Sequence, residues 1–267
     1  MMENNPIQLF YEDIGKGAPM VLLHGFPLDH TIWHPIVPLL QSHARLILPD
    51  LRGHGRSPAP PGVYEMRTLA DDVLALLDTL EIDRVTLVGH SMGGYIALAF
   101  ARAYPHRLAG LGYVATHAAS DTPEQRANRL RLARKVARSG VSFLAQELAP
   151  KLTCQPALVE PLQALMSKTP KEGVIGALKG MAERPDSTEF LNSIAVPAVV
   201  IAGIQDAMIP LERAQTMAQL LGRAWLVEAP QAAHLPMMEN PTIVAHTLRE
   251  LIQAAAGYHP GEYNGLQ

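Results

Sequence analysis

Arg84-Val85-Thr86-Leu87-Val88-Gly89-His90-Ser91-Met92-Gly93-Gly94-Tyr95-Ile96-Ala97-Leu98-Ala99-Phe100-Ala101-Arg102 decides the fold class. After Arg84, residues Val85 to Val88 are β-branched or apolar, the pattern of a short buried strand. Its last nine form an apolar, helix-favouring run that stops before Pro105. Between them stands Gly89-x-Ser91-x-Gly93, a serine on a tight strand-to-helix turn. Such a turn strains the backbone and pushes the hydroxyl outward, and glycines flank it where two chain segments pass too close for a Cβ. The following helix N-terminus supplies unpaired N–H groups and the positive end of its dipole, both suited to an oxyanion.

Strand-like and helix-like segments alternate on either side of this turn. Ile7–Tyr11 is read as an edge strand, and 19–23, 45–48, 85–88 and 108–115 as further strands. After a gap, strands at 198–202 and 224–227 alternate with helices at 211–221 and 241–255. Thr68 to Leu80 reads as an amphipathic helix, with Leu69, Val73, Leu76, Leu77 and Leu80 on one face. This β-α repetition implies a mainly parallel sheet flanked by helices, an α/β fold. Residues 117–192 break the pattern: only helical stretches occur, and Thr122 with Pro123 and Gln125 is an N-cap with its capping-box partner. The division expected is a core of 1–116 and 193–256, an inserted helical lid of 117–192, and a loose tail of 257–267. On the lid, the basic helix Arg126–Arg138 reads as a solvated face with Leu130, Leu132 and Val136 turned inward, and Cys154 as a packing thiol.

A serine nucleophile needs a base, and the base needs a carboxylate to fix its tautomer. On this topology the order along the chain is Ser, Asp or Glu, then His. Of the late histidines, His246 falls within the last helix and His259 in the tail, while His234 lies in the loop after the last strand. Asp206 lies in the loop after the preceding strand; Asp186, Glu212 and Glu228 are less well placed. The oxyanion hole requires two backbone donors: Met92 N–H after the nucleophile, and Phe26 N–H in His24-Gly25-Phe26-Pro27, since Pro27 has no N–H.

These pieces, with Pro49-Asp50-Leu51-Arg52-Gly53-His54-Gly55-Arg56-Ser57 and His234 to Pro241, resemble the α/β-hydrolase superfamily across residues 19–250. The resemblance is to small bacterial carboxylesterases and 3-oxoadipate enol-lactonase-like hydrolases. It implies a cofactor-independent serine hydrolase that cleaves small-molecule carboxylic esters through an acyl-enzyme. Lactone or thioester hydrolysis are the rival chemistries, and a non-catalytic ligand receptor on the same fold is the rival of another class. Met166 and Met181 are candidate residues of an apolar acyl pocket.

Bulk properties exclude several other classes. A net charge of −3 on 267 residues, without a basic or acidic tail, gives no basis for nucleic-acid binding. One cysteine permits no intrachain disulfide and no cysteine-held metal. His30 and His34 are four residues apart but lack a recognisable third ligand, so no metal is expected. Gly15 and Gly17 do not form a dinucleotide fingerprint, so no cofactor is expected. No run approaches the roughly 18 apolar residues of a membrane span, and the first residues do not read as a secretory signal. The expected location is the cytoplasm. Arg52, His54 and Arg56 are read as a structural loop rather than an anion site.

Overall fold

A computed structural model describes residues 5–258. Seven strands form one sheet: β1 (Tyr11–Gly15), β2 (Ala18–Leu23), β3 (Ala44–Pro49), β4 (Val85–His90), β5 (Leu108–Val114), β6 (Ala198–Gly203) and β7 (Ala224–Ala229). The spatial order is β1-β3-β2-β4-β5-β6-β7; β1 runs antiparallel to β3 and every other pairing is parallel. Parallel strands need helical crossovers, and these cover both faces, so β4 and β6 are buried at every position.

The strand period of two sorts the side chains into two layers. Val21, Leu23, Leu87 and Val200 face one layer, with α2 (Met66–Thr79), α3 (Met92–Ala103) and α8 (Leu211–Leu220). Met20, Leu22, Val88, Val199 and Ile201 face the other, with Trp33, the short α1 (Val37–Leu40) and α10 (Pro241–Ala256). Four helices separate β5 from β6: α4 (Pro123–Ser139), α5 (Ser142–Leu152), α6 (Val159–Ser167) and α7 (Lys171–Glu183). The capping box of Thr122 and Gln125 opens α4. One further four-residue helix, α9 (Pro236–Glu239), precedes α10.

The edge strand lies later than the sequence pattern placed it. Ile7–Phe10 are not in a strand: Ile7 N–H donates to Asp72 Oδ1 and Phe10 N–H to Ser57 Oγ, both at 2.9 Å, while the Phe10 carbonyl accepts from Asp50 N–H at 2.9 Å. Leu9 enters the core there, and the more polar Tyr11–Gly15 pairs at the sheet edge. Of the tail 257–267, only Gly257 and Tyr258 fall among the described residues.

The order of strands places the site. The chain goes from β3 on one side of β2 to β4 on the other, so the winding reverses between β2 and β4. A crevice at the carboxyl ends of the strands is where open α/β sheets bind ligands. Leu23 pairs with Gly89, which brings the loop after β2 beside the turn after β4.

Candidate active site

Ser91 stands between β4 and α3 with φ 50° and ψ −111°, a strained conformation for a residue with a Cβ. The surroundings hold it there. Ser91 N–H donates to Val114 O at 2.9 Å, and its carbonyl accepts from Thr116 Oγ1 at 2.8 Å and from Gly94 N–H at 2.9 Å. Gly25 presses against the turn: a Cβ on it would lie 2.5 Å from His90 Nδ1 and 3.1 Å from Ser91 Cβ. Met92 is the first helical residue, so its N–H has no acceptor one turn back. Phe26 N–H has no acceptor among the described residues.

Asp206 and His234 come from the loops after β6 and β7, which pair Gly203 with Ala229. His234 Nδ1–H donates to Asp206 Oδ2 at 2.8 Å, and both side chains are almost wholly buried. The second carboxylate oxygen, Asp206 Oδ1, accepts from Met208 N–H at 2.7 Å and Ile209 N–H at 3.0 Å. The acid is thereby fixed by its own loop, and Nε2 is the ring nitrogen of His234 left for a substrate or nucleophile. Asp186, Glu212 and Glu228 do not reach the histidine: Asp186 caps Ser120 and Thr188 N–H, Glu212 opens α8, and Glu228 pairs with Gln215.

Two residues that the sequence reading passed over hold the histidine loop. His90 Nε2–H donates to the carbonyl of His234 at 2.8 Å. Burial holds the His90 ring far below the usual histidine pKa, so it acts as a neutral donor. Glu239, also buried, accepts from Ala233 N–H, Leu235 N–H, Thr153 Oγ1 and Cys154 N–H at 2.8, 3.1, 2.8 and 2.7 Å. It ties the loop to the end of α5, as does His234 N–H to Leu152 O at 3.1 Å. The tight step of this loop is taken at Gln231, with φ 57°. Cys154 is exposed rather than packed, its thiol 3.5 Å from Gln231 O.

Ser91, His234 and Phe26 open on a cavity of about 210 Å³. Leu148, Leu152, Met181, Met208 and Ile209 form its apolar wall. Tyr95, His117, Asp121, Gln125 and Arg129 make the rest polar, so the expected apolar pocket has a polar side as well. Met166 is excluded from it and packs in the second core layer. Arg129 turns inward from α4 rather than joining the solvated face. His117 is pushed down to about 4 by burial and by Arg184 and Arg213 nearby; Tyr95 Oη lies 3.2 Å from its Nε2. A second cavity of about 430 Å³ lies behind Tyr95, between α3 and the end of α7, away from Ser91 and His234.

The loop after β3 is held by internal bonds. Arg52 makes a buried bidentate pair with Asp72 at 2.7 and 2.8 Å. Asp50 accepts from His30 N–H, His30 Nδ1–H and Arg56 N–H at 3.0, 2.6 and 2.8 Å. His24 Nε2 accepts from Leu51 N–H at 2.9 Å, fastening this loop to the one that bears Phe26. Glu12, from β1, is the third partner that the spacing of His30 and His34 did not reveal; the ligand atoms of the three lie within 4.8 Å of one another. This group and the overlapping Asp29, His30 and Asp50 are the sets among the described residues that could hold a metal ion. Among the described residues no helix is long and apolar enough to cross a membrane.

Comparison with known proteins agrees with this architecture. Residues 18–241 match the alpha/beta hydrolase fold family. A thermophilic esterase from Thermogutta terrifontis, solved with malate bound, superposes with a TM-score of 0.91 at 42% identity, over 93% of this chain and 94% of that one. The enol-lactonase of Burkholderia xenovorans LB400 superposes with a TM-score of 0.85 at 30% identity, over 92% and 96%. The dihydrolipoyllysine-residue acetyltransferase component of the acetoin cleaving system of Pseudomonas putida is 33% identical over 233 residues; the match takes in 84% of this chain but 60% of that protein's length. A mainly parallel seven-stranded sheet, a serine on the β4–α3 turn and a match over most of the sequence place this chain in the α/β-hydrolase family.

Proposed function

We propose that the protein is a serine hydrolase of small carboxylic esters, with Ser91 as nucleophile, His234 as general base and acid, and Asp206 as the group that orients His234. The observation that carries this reading is the 2.8 Å bond from His234 Nδ1–H to Asp206, made by a histidine that lines one cavity with Ser91. With Nδ1 protonated and held, Nε2 is the basic nitrogen and takes the serine proton as Oγ attacks the ester carbonyl. The tetrahedral oxyanion is received by the N–H groups of Phe26 and Met92. His234 then passes its proton to the leaving alcohol. Water, deprotonated by the same nitrogen, releases the acid from the acyl-enzyme. Helices α4–α7 act as the lid of this site, since α4, α5 and α7 supply Gln125, Arg129, Leu148, Leu152 and Met181 to the cavity wall.

The names of the esterase and enol-lactonase relatives support ester or lactone cleavage over thioester cleavage. The test is turnover of p-nitrophenyl acetate by the intact protein and by Ser91→Ala. The reading requires release of p-nitrophenol by the first and a loss of at least about 10³-fold in the second, with unchanged thermal unfolding. Binding without turnover in the intact protein would favour the receptor alternative. Equal rates in both proteins would remove Ser91 as nucleophile.

A further inference from the structure

The polar wall of the cavity carries a charge that the ester chemistry itself does not use. Asp121 and Arg129 are the carboxylate and the guanidinium that line it. Arg129 Nε donates to Asp121 Oδ2 at 2.5 Å and Nη2 to Oδ1 at 3.3 Å. The same carboxylate also accepts from Arg184 Nη1 at 2.7 Å. Two guanidinium groups therefore share one carboxylate, which leaves the cluster with one unbalanced positive charge. His117 beside them adds no negative charge and, at about 4, is neutral at pH 7.

The two arginines are not equivalent. Arg184 has the contacts of a structural residue: its side chain is 4% exposed, it donates to Met181 O at 2.9 Å and Ala119 O at 3.0 Å, and its guanidinium lies over the Tyr95 ring at 4.1 Å. Arg129 is 26% exposed and faces the cavity. Among the described residues its Nη1 has only the thioether sulfur of Met181, at 3.5 Å, a weak acceptor. Since Arg184 already ties Asp121 in place, the second guanidinium is not needed for that bond. A planar fork with spare N–H donors, set in a half-enclosed and partly apolar wall, is suited to a carboxylate.

We propose that the site selects esters that carry a free carboxylate at the end remote from the scissile bond, with Arg129 receiving it. The simplest such molecules are half-esters of short dicarboxylic acids. This inference rests on Ser91 being the nucleophile at the other side of the same cavity. The volume sets the size: a cavity of about 210 Å³ suits a short acyl chain with a terminal carboxylate. An uncharged long-chain acyl group would place apolar carbon against Arg129 Nη1 and add no acceptor beyond the Met181 sulfur, at a desolvation cost.

The test compares monomethyl succinate with dimethyl succinate, two esters that differ in one negative charge. The expected ratio of kcat/KM favours the half-ester by about tenfold, carried by KM, and shrinks as salt is raised. In Arg129→Gln that ratio falls to about one or below, and Arg129→Lys restores part of it. A ratio that is the same in the intact protein and in Arg129→Gln would overturn the inference and make Arg129 a tie between α4 and its loop. Calorimetric binding of succinate to Ser91→Ala, abolished by adding Arg129→Gln, decides the anion site without any turnover. Succinate binding that survives Arg129→Gln, or its absence in Ser91→Ala, would also overturn it. If Ser91→Ala cleaves dimethyl succinate as fast as the intact protein, the nucleophile assignment fails separately.

Discussion

Asp206→Asn separates orientation of the base from stability of the loop. In the native site one carboxylate oxygen accepts from His234 Nδ1–H at 2.8 Å, and the other accepts from Met208 and Ile209 N–H at 2.7 and 3.0 Å. Asparagine keeps one oxygen, and the two backbone donors will take it because they offer nothing else to the site. The amide NH₂ then faces His234 Nδ1. Two donors cannot share that contact, so the imidazole gives up the Nδ1 proton and carries it on Nε2, the nitrogen that accepts from Ser91 in the proposed mechanism. The base is thus in the wrong tautomer, a change worth about 10⁴-fold in kcat in serine–histidine–aspartate triads. That is about 5.5 kcal/mol of transition-state stabilisation. Stability should change by less than about 1.5 kcal/mol, because every loop bond except the charged one survives. Asp206→Ala removes the loop bonds as well and should cost a further ~1–3 kcal/mol in urea unfolding. Initial rates on p-nitrophenyl acetate and urea midpoints for both variants decide it. An Asp206→Asn protein within tenfold of the intact rate would refute the assignment of Asp206. So would an activity loss that merely tracks lost stability across the two variants.

Three further outcomes follow from the same contacts. Gly25→Ala puts a Cβ 2.5 Å from His90 Nδ1, so the loop bearing Phe26 must move; a loss of ~1–3 kcal/mol is expected, together with reduced turnover, and an unchanged melting temperature would contradict it. Glu239→Gln turns one buried acceptor oxygen into a donor, facing either Thr153 Oγ1 and Cys154 N–H at the Oε1 position or Ala233 and Leu235 N–H at the Oε2 position. The expected cost is ~2–3 kcal/mol, read in urea midpoints, and a change under about 0.5 kcal/mol would show that the loop does not depend on this carboxylate. Stability should fall on acidification from pH 7 to pH 5. Burial lowers His54 to about 3 and His117 to about 4 from the ordinary 6.5, so below 6.5 the unfolded chain binds protons that the folded one refuses. Each ring then costs up to about 1.4 kcal/mol per pH unit until its folded pKa is reached. His30, raised by its bond to Asp50 against the opposing effect of burial, offsets part of this. An equal or higher urea midpoint at pH 5 would contradict the sign.

What could be read from the sequence was what the chain encodes locally. The β4–Ser91–α3 turn is consecutive in sequence, and its glycines are required by backbone approach within that turn. Asp206 and His234 were legible because strand ends announce themselves by pattern, and loops at one sheet edge must converge. The capping box at Thr122 was legible for the same local reason. Long-range pairing was not. Ile7–Phe10 has a strand's composition, but the N–H groups of Ile7 and Phe10 go to Asp72 and Ser57, partners that no local pattern names. Glu239 looks like an ordinary helical glutamate until four donors from two loops converge on it. Arg129 sits among similar basic residues on α4, and only the helix's rotation against Asp121 and Met181 turns it inward. A signal was available for Arg129, since Asp121 was the acidic residue just ahead of a strongly basic helix. His90 carried none, because the middle position of a Gly-x-Ser turn accepts many residues.

The central claim is that Ser91 carries the acyl group during turnover. The direct measurement is intact-protein and peptide mass spectrometry after brief exposure to a slowly deacylating p-nitrophenyl ester or a fluorophosphonate. The account predicts one adduct per chain, on the peptide that contains Ser91, absent in Ser91→Ala and greatly slowed in His234→Ala. An adduct on another residue, or steady ester turnover with Ser91 unmodified throughout, would contradict it.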